Sequence, residues 1–235
     1  MICGELINSK AFKIVILRYI MKKEIYYVKS FEEDFSTKTL RGREKVTFQT
    51  VQDICKTRKI KPNTKSFGRH RRLSTTIIHK NYLVTYRSQG IIFQTDAKPD
   101  YALPFDLVLL SATDRIIVHY YRIKNNLHVY YNHSLIPGFQ KFIFKSFHSL
   151  MDKYDSPWSA WKVVNEFRVE NGYKPLTKEK YRLVLYNEVV FNKAIKIKPI
   201  VIFGYSKKSR LIAKRLNLPH YNSARQFYEK RLNEQ

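Results

Sequence analysis

Acidic residues cluster in the segment 91–110, IIFQTDAKPDYALPFDLVLL, which carries residue types suited to catalysis. Asp96 and Asp100 lie there between two apolar runs, with Lys98 and Tyr101 beside them. The chain has 19 Asp and Glu against 44 Lys and Arg, so acids grouped at one connection between strands are a candidate site. Carboxylates with a lysine and a phenol can transfer protons or bind Mg²⁺. Asp and Pro are also ordinary turn residues, so a plain turn is the alternative interpretation.

A histidine near the C-terminus is a second candidate for proton transfer. His220 lies with Tyr221 in a proline-containing turn between two predicted short helices, in the segment RLNLPHYNSARQFY. Imidazole titrates close to neutral pH, so a histidine held in such a turn is well placed to donate a proton. A lone histidine is more often structural, and that alternative stays open.

The predicted loop at residues 56–74 carries the densest positive charge of the chain. Gly68 gives this loop flexibility, and four basic residues follow it directly: Arg69, His70, Arg71 and Arg72. Guanidinium groups bind phosphate bidentately and read guanine with the same fork, so the loop can both hold and discriminate nucleic acid. A solvated run of charge is the alternative.

The composition makes a polyanion the expected partner. The formal net charge is +25, while 44% of the residues are hydrophobic and 14% are aromatic. A disordered basic tail would lack that apolar content, so the charge is expected on a folded surface. Binding of DNA or RNA relieves the self-repulsion and releases counterions from the phosphates. The alternatives are a ribosome-associated protein, an anionic membrane surface and a generally basic proteome.

Neither the cysteines nor the hydropathy indicates a metal site or a membrane. Cys3 and Cys55 do not form a paired spacing, so we expect reduced thiols rather than a zinc site or a redox couple. The apolar run at 14–20 is interrupted by an arginine and is too short for a membrane span. We therefore expect a cytoplasmic protein without cofactor, metal or membrane contact, for which Met21 would serve as well as Met1 as the start.

Runs of β-branched and aromatic residues predict a β-rich first half. The segment 12–30 predicts two strands, and strand character returns from Val46. Between residues 75 and 131, short alternating runs are separated by turn residues, among them Gly90 and Pro104. This pattern predicts an antiparallel meander that forms the core of the sheet.

After residue 138 the hydrophobic period lengthens to that of helices. The predicted elements are, in order, a helix over 139–154, a helix from the Ser156 cap to Asn171, a helix from Thr177 to about Asn192, a strand over 195–204, and two helices capped by Ser206 and Ser223. We expect a single α+β domain over 1–235, mainly β sheet at about 21–135 and mainly helical at about 138–235.

Three features together resemble a known family: the Arg-Gly-Arg turn at 41–43, the block TYRSQGIIFQTDAKPDYALPFDLVLL at 85–110, and His220. In this order they resemble the half-pipe restriction DNA glycosylases, the R.PabI family, from about Met21 onward. The resemblance implies a homodimer whose strongly curved antiparallel sheet, the half-pipe, cradles double-stranded DNA at the palindrome GTAC. It also implies that adenine is flipped out and its glycosidic bond hydrolysed without metal or cofactor, with associated strand cleavage.

The resemblance further implies a tyrosine, a histidine and an acid at the reacting bond. Tyr101 and His220 are the candidates for the first two, and Asp96 or Asp100 for the carboxylate. An acid is expected three positions after the histidine, where this chain has Ser223. The amine for strand cleavage by β-elimination is sought among nearby lysines, which are Lys98, Lys80 and Lys65. Expected DNA contacts are Arg41, Arg43, the basic loop with Arg69, His70, Arg71 and Arg72, and Lys80 and Arg87.

Two other functions remain open. A metal-dependent restriction or homing-type endonuclease would use Asp100 and Asp106 to hold Mg²⁺, but no acidic-x-Lys triplet follows, since the next strand begins Asp114-Arg-Ile. The second is a non-enzymatic DNA- or RNA-binding protein, because the basic composition alone supports binding and nothing more.

Overall fold

The computed structural model describes residues 25–31, 48–61, 73–105, 118–123, 126–131, 134–135, 139–182 and 185–234. The strands in these ranges are β1 Tyr26–Ser30, β2 Lys59–Ile60, β3 Leu73–Ile78, β4 Gly90–Gln94, β5 Tyr101–Leu103, β6 Val118–Ile123, β7 Asn126–Tyr131, β8 Ser134–Leu135, β9 Glu188–Phe191, β10 Ile195–Lys196, β11 Lys198–Phe203 and β12 His220–Tyr221. The helices are α1 Phe48–Thr57, α2 Phe147–Lys153, α3 Pro157–Glu170, α4 Lys178–Arg182, α5 Lys207–Leu216 and α6 Ala224–Asn233, with a 3₁₀ turn at Phe139–Phe142.

Seven strands form one mixed sheet in the order β12-β11-β4-β1-β3-β9-β5. Neighbouring strands are antiparallel except β11 and β12, which are parallel because α5 crosses between them. The predicted α+β class is confirmed, but the prediction of a purely antiparallel sheet is wrong. The connection from β11 to β12 contains a whole helix, and a helical crossover is what joins parallel strands.

The central strands do not follow chain order. β1 lies between β3 and β4, and β9 lies between β3 and β5. The predicted meander is therefore wrong for these strands, because β3 and β4 both run antiparallel to β1 and so cannot pair as a hairpin. Within the described ranges, successive antiparallel pairing is found in β6, β7 and β8.

Both faces of the seven-stranded sheet are covered by helices. On one face, apolar side chains of α1, α2 and α5 pack on the strands, among them Val51, Leu150 and Ile212. On the other face, α6 packs through Phe227, and α3 packs near β5 through Phe167. These layers bury the apolar surface that stabilises the fold. None of the described helices is long and apolar enough to cross a membrane.

Helix caps follow the local sequence closely. Ser156 is extended and its Oγ accepts the Ser159 N–H, with Pro157 in the first turn, and the helix ends at Asn171 before Gly172 at φ 78°. The predicted helix from Ser156 to Asn171 is thus confirmed. The helices capped by Ser206 and Ser223 are also confirmed, as α5 and α6. The single strand predicted over 195–204 divides into β10, which pairs with β2 outside the seven-stranded sheet, and β11.

Three predicted elements differ from the structure. Strand character was predicted from Val46, but α1 is a helix that buries Val51 and Ile54 at a helical spacing. The helix predicted to reach Asn192 ends at Arg182, and its second half is the buried strand β9. The helix predicted over 139–154 divides into the 3₁₀ turn and α2, because Ser146 caps a new helix.

Candidate nucleic-acid interface

The parallel strands β11 and β12 place two helix N-termini at one end of the sheet. α5 begins at Lys207 shortly after β11 ends, and α6 begins at Ala224 shortly after β12 ends. Because the two strands are parallel, their carboxyl ends lie side by side. Ligands of sheets with helical crossovers bind at the carboxyl ends of the parallel strands. We call this region, residues 204–210 and 220–225 together with Gln89, the capped end.

Gly204 allows three segments to meet closely at the capped end. Its φ is +144°, and a Cβ built there would lie 2.5 Å from the Gln89 Cβ and 3.2 Å from the Ser209 Cβ. Any larger residue would combine backbone strain with a steric clash. The absence of a side chain at Gly204 therefore brings the start of β4 against the first turn of α5.

A network of short polar contacts holds this junction. The Ser206 Oγ accepts the Ser209 N–H at 3.0 Å and donates to the Gln89 Oε1 at 2.8 Å. The Ser209 Oγ lies 2.7 Å from the Ser206 carbonyl oxygen and 2.9 Å from that of Gly204. Gln89 and Ser209 are both fully buried. The N-terminus of α5 is thus fixed to the sheet by side chains rather than left to fray.

His220 belongs to the same network. Its Nε2 lies 3.1 Å from the Ser209 Oγ, which ties β12 to the crossover helix. Burial is the main cause that lowers the pKa of His220 from its ordinary 6.5, and Arg210 lowers it further, while a hydrogen bond with the Gly204 backbone raises it. The imidazole is therefore neutral at pH 7. A neutral ring can accept a proton or form hydrogen bonds, but it is a poor proton donor at that pH.

The first residues of α5 are basic, which is unusual for a helix start. Lys207, Lys208 and Arg210 lie there, and no acidic residue does. A helix N-terminus carries partial positive charge, so each added cation costs about 0.3–1 kcal/mol unless an anion is close. Tyr205, directly before the cap, is 66% exposed. The capped end thus presents cations, a helix dipole and an open aromatic ring, which suit phosphate and base contacts.

The carboxylates predicted for catalysis lie at the other edge of the sheet. The Asp100 Oδ2 accepts the Asn192 N–H at 2.7 Å, and the Asp100 N–H donates to the Val190 carbonyl oxygen at 2.8 Å. Asp100 therefore fastens the residues before β5 to the end of β9. Asp96 and Lys98 are exposed in the connection between β4 and β5. Tyr101 is only 6% exposed and belongs to the core cluster of α3.

Within one chain, the structure does not bring Tyr101 and His220 together. β5 and β12 are opposite edge strands with five strands between them. The strand register joins His220 through Ile202 and Ile91 to Lys29 of β1, and joins Thr75 of β3 through Val189 to Ala102. Tyr27 pairs with Ile77, so Lys29 and Thr75, each two residues further along, lie on the same face. His220 thus shares a face with Ala102, and side chains alternate along a strand, so Tyr101 belongs to the opposite face. The two residues differ in both edge and face.

The remaining predicted DNA contacts divide into two groups. Lys80 is exposed after β3, and Arg87 is partly buried with its guanidinium 4.6 Å from the centre of the Tyr86 ring. The others lie outside the described residues: Arg41, Arg43, Arg69, His70, Arg71 and Arg72, together with Lys65, Asp106 and Asp114. In the described part of the chain, no three His, Cys, Asp or Glu side chains gather where they could hold a metal ion.

The sequence interpretation missed the part played by Gln89 and Gly204. For Gly204 the sequence did contain a signal, since Gly204-Tyr205-Ser206 separates an apolar strand from a basic amphipathic helix. Glycine followed by a helix cap after a strand is typical of loops that bind phosphate. The contribution of Gln89 carries no such signal, because it lies 117 residues from its hydrogen-bond partner Ser206.

Comparisons with known proteins leave the chain without an assigned family. No family model, no curated protein and no solved structure matches it.

Proposed function

We propose that this protein binds double-stranded DNA and excises adenine from it, as a restriction-type DNA glycosylase with associated strand cleavage. The observation that carries the DNA-binding part is the capped end, where an acid-free basic helix start lies beside a second helix N-terminus. The net charge of +25 supports the same conclusion, because it makes binding to a polyanion favourable over the whole surface.

The excision part rests on the resemblance of the block 85–110 and His220 to the half-pipe glycosylases. Excision needs groups that stabilise the departing adenine and the oxocarbenium character at the sugar. A strongly curved sheet around the duplex is part of this proposal. Curling a sheet brings its edges closer but does not join its two faces. Tyr101 and His220 therefore act at one bond only if they come from different subunits, so the proposal requires a homodimer.

The roles within the site come from the resemblance and from the surroundings of each residue. His220 is neutral at pH 7, so we assign it to proton acceptance or to orientation of the attacking water. Tyr101 is assigned to the departing base by the resemblance alone, because the fold buries its ring in the core cluster of α3. Asp96 is the exposed carboxylate in the connection before β5. Asp100 already accepts the Asn192 N–H, which gives it a positioning function in the same connection.

Binding of nucleic acid without chemistry is the second candidate function. It is favoured by the separation of Tyr101 from His220 within one chain, since binding needs no composite site. The capped end and the excess of cations would be sufficient for it.

One assay separates these functions from each other and from a metal-dependent endonuclease. The protein is incubated with duplex DNA containing GTAC in the presence of EDTA, and released adenine and alkali-labile sites are measured. The glycosylase proposal expects both products. Cleavage that EDTA abolishes would indicate a nuclease that uses Asp100 and Asp106. Retention of the duplex with no product in EDTA or in Mg²⁺ would leave binding alone.

A further inference from the structure

Two lysines lie directly opposite each other on a short ribbon outside the seven-stranded sheet. β2 pairs with β10 so that Lys59 lies opposite Lys196, next to the pair formed by Ile60 and Ile195. The isoleucines are buried in the core cluster of α1, α2 and α5, so the lysines, which alternate with them, share the outer face and are exposed. Like charges at directly opposite positions are destabilising. The fold therefore retains a local repulsion at this pair.

Arg58, directly before Lys59, is a second unfavourable feature of the same ribbon. It follows the last residue of α1 and has φ 49°, in the left-handed region where glycine is usual after a helix. Its carbonyl oxygen accepts the Ile197 N–H at 2.8 Å, so the pairing of the two chain segments holds it in this conformation. An arginine in the left-handed region costs stability and supplies a cation. Two such costs on one ribbon indicate an anionic partner.

The cations of this ribbon are not neutralised by the described part of the chain. We call residues 58–61 and 195–198 the basic ribbon. Its exposed cations, which form no ion pair among the described residues, are Arg58, Lys59, Lys61, Lys196 and Lys198. On the opposite face of the sheet, cations of α3 and α6 pair with acids one turn away, for example Arg225 with Glu229 at 2.7 Å. The two faces therefore differ in the charge that they offer to a partner.

We propose that the basic ribbon binds the phosphate backbone of a nucleic acid, with Arg58, Lys59 and Lys196 in contact with phosphates. That the nucleic acid is double-stranded DNA rests on the proposed function. The Thr95 hydroxyl donates to the Lys196 carbonyl oxygen at 2.6 Å, so the ribbon adjoins the connection that carries Asp96. Phosphate contacts fix the orientation of a duplex without reading its sequence. The ribbon thus holds the backbone beside the exposed carboxylate assigned to the site.

Removal of the opposed lysines tests the site against a matched control. Lys59→Gln/Lys196→Gln removes two charges from the basic ribbon. Lys162→Gln/Lys230→Gln removes two exposed charges from α3 and α6 on the other face. Binding of a fluorescent duplex containing GTAC is measured against salt concentration. We expect the ribbon variant to bind about ten- to hundredfold more weakly, with a log–log salt slope lower by about two, since two phosphate contacts are lost. Equal effects of the two variants would overturn the site.

Arg58→Gly separates binding from stability. Glycine adopts φ 49° without strain, so we expect the unfolding temperature to rise by about 2–4 °C. The same variant should bind the duplex about three- to tenfold more weakly, because a cation is lost. An arginine retained only for the fold would leave binding unchanged, and that result would overturn its contact with phosphate.

Failure of this site and failure of the proposed function give different results. Duplex binding that depends on Lys59 and Lys196, without release of adenine, would uphold the basic ribbon and reject the glycosylase. Adenine release with binding insensitive to these lysines would uphold the glycosylase and overturn the ribbon. The variants are also tested on vesicles of phosphatidylserine and phosphatidylcholine. Binding to vesicles but not to the duplex, if it requires the two lysines, would overturn nucleic acid as the partner.

Discussion

The two edges of the seven-stranded sheet use their polar residues in opposite ways. At the β5 edge, Asp100 is engaged by the Asn192 backbone at 2.7 Å, and Tyr101 is packed into a core cluster. At the β12 edge, buried polar groups support a helix end at which Lys207 and Arg210 are exposed. The first edge has the residue types of a catalytic site in a structural setting. The second edge has exposed cations at a helix start, supported by residue types that attract little notice in the sequence.

The comparison shows that residue type alone is a weak guide to function. A carboxylate that accepts a backbone N–H stabilises a connection before it does any chemistry. Gln89 and Gly204, in contrast, acquire a function only through the residues packed around them. Substitutions at one edge or the other can contradict this difference.

The largest expected effect is that two inactive variants restore adenine release when they form mixed dimers. Tyr101→Phe and His220→Ala should each abolish adenine release, because each removes one half of a composite site. When the two variants are mixed by refolding, mixed dimers contain one intact site made from the unchanged halves. We expect adenine release to return to roughly a quarter of the wild-type level, given random pairing and two sites per dimer.

The control for this mixture is Tyr101→Phe combined with a Tyr101→Phe/His220→Ala double variant, which leaves no intact site in any dimer. If the first mixture is as inactive as the control while the wild type is active, the two edges do not meet across the dimer. The assignment of one of the two residues to the reacting bond would then be wrong.

The next effect concerns the stability of the capped end. Gly204→Ala should lower the free energy of unfolding by about 3–5 kcal/mol, because alanine adds strain at φ +144° and clashes with Gln89. Gly172→Ala is the matched control, since its φ is +78° and nothing lies within 4 Å of the added Cβ. It should cost only about 1–2 kcal/mol. Urea denaturation measures both, and equal losses would show that the close contact at Gly204 is unimportant.

Local signals explain which elements were predictable from the sequence. Ser156-Pro157 and Asn171-Gly172 bound α3 correctly, and Ser206 and Ser223 mark the starts of α5 and α6, because a cap is satisfied by residues within one turn. His220 lies between the last two helices as predicted, but in strand β12 rather than in a turn. Its partner Ser209 follows from the fold, which packs the crossover helix on β12.

Non-local pairing explains most of what the sequence did not reveal. β9 was assigned to a helix, although its run of buried Val and Phe suits a strand held between β3 and β5. The positions of β1 and β9 inside the sheet depend on contacts between distant segments, which local patterns do not encode. For the same reason Tyr101 and His220 were expected at one site, whereas the strand order places them at opposite edges.

A smaller effect is expected at the β5 edge. Asp100→Ala should lower the free energy of unfolding by about 1–2 kcal/mol, because the buried end of β9 loses a charge-assisted acceptor. Asp100→Asn keeps an oxygen that can accept the Asn192 N–H, so it should recover most of this loss. Urea denaturation of the two variants distinguishes the roles of Asp100. A stable Asp100→Asn protein that has lost adenine release would instead make Asp100 a catalytic carboxylate.

The smallest expected effect is the pH dependence of stability that comes from the capped end. The fold lowers the pKa of His220, so below the ordinary value of 6.5 the unfolded chain binds more protons than the folded one. Stability is therefore full above that value and falls as the pH drops from about 7 to about 5. His79, whose pKa burial also lowers, contributes in the same direction.

Urea denaturation of the wild type and of His220→Gln at both pH values isolates the contribution of His220. Glutamine can still bond to the Ser209 Oγ but does not titrate, so the variant should lose less stability on acidification than the wild type. The remaining loss then belongs to His79 and the other titrating groups. If the two proteins lose the same amount, the His220 ring is not held neutral by the junction of β12 with α5, and its assigned function as a proton acceptor loses its support.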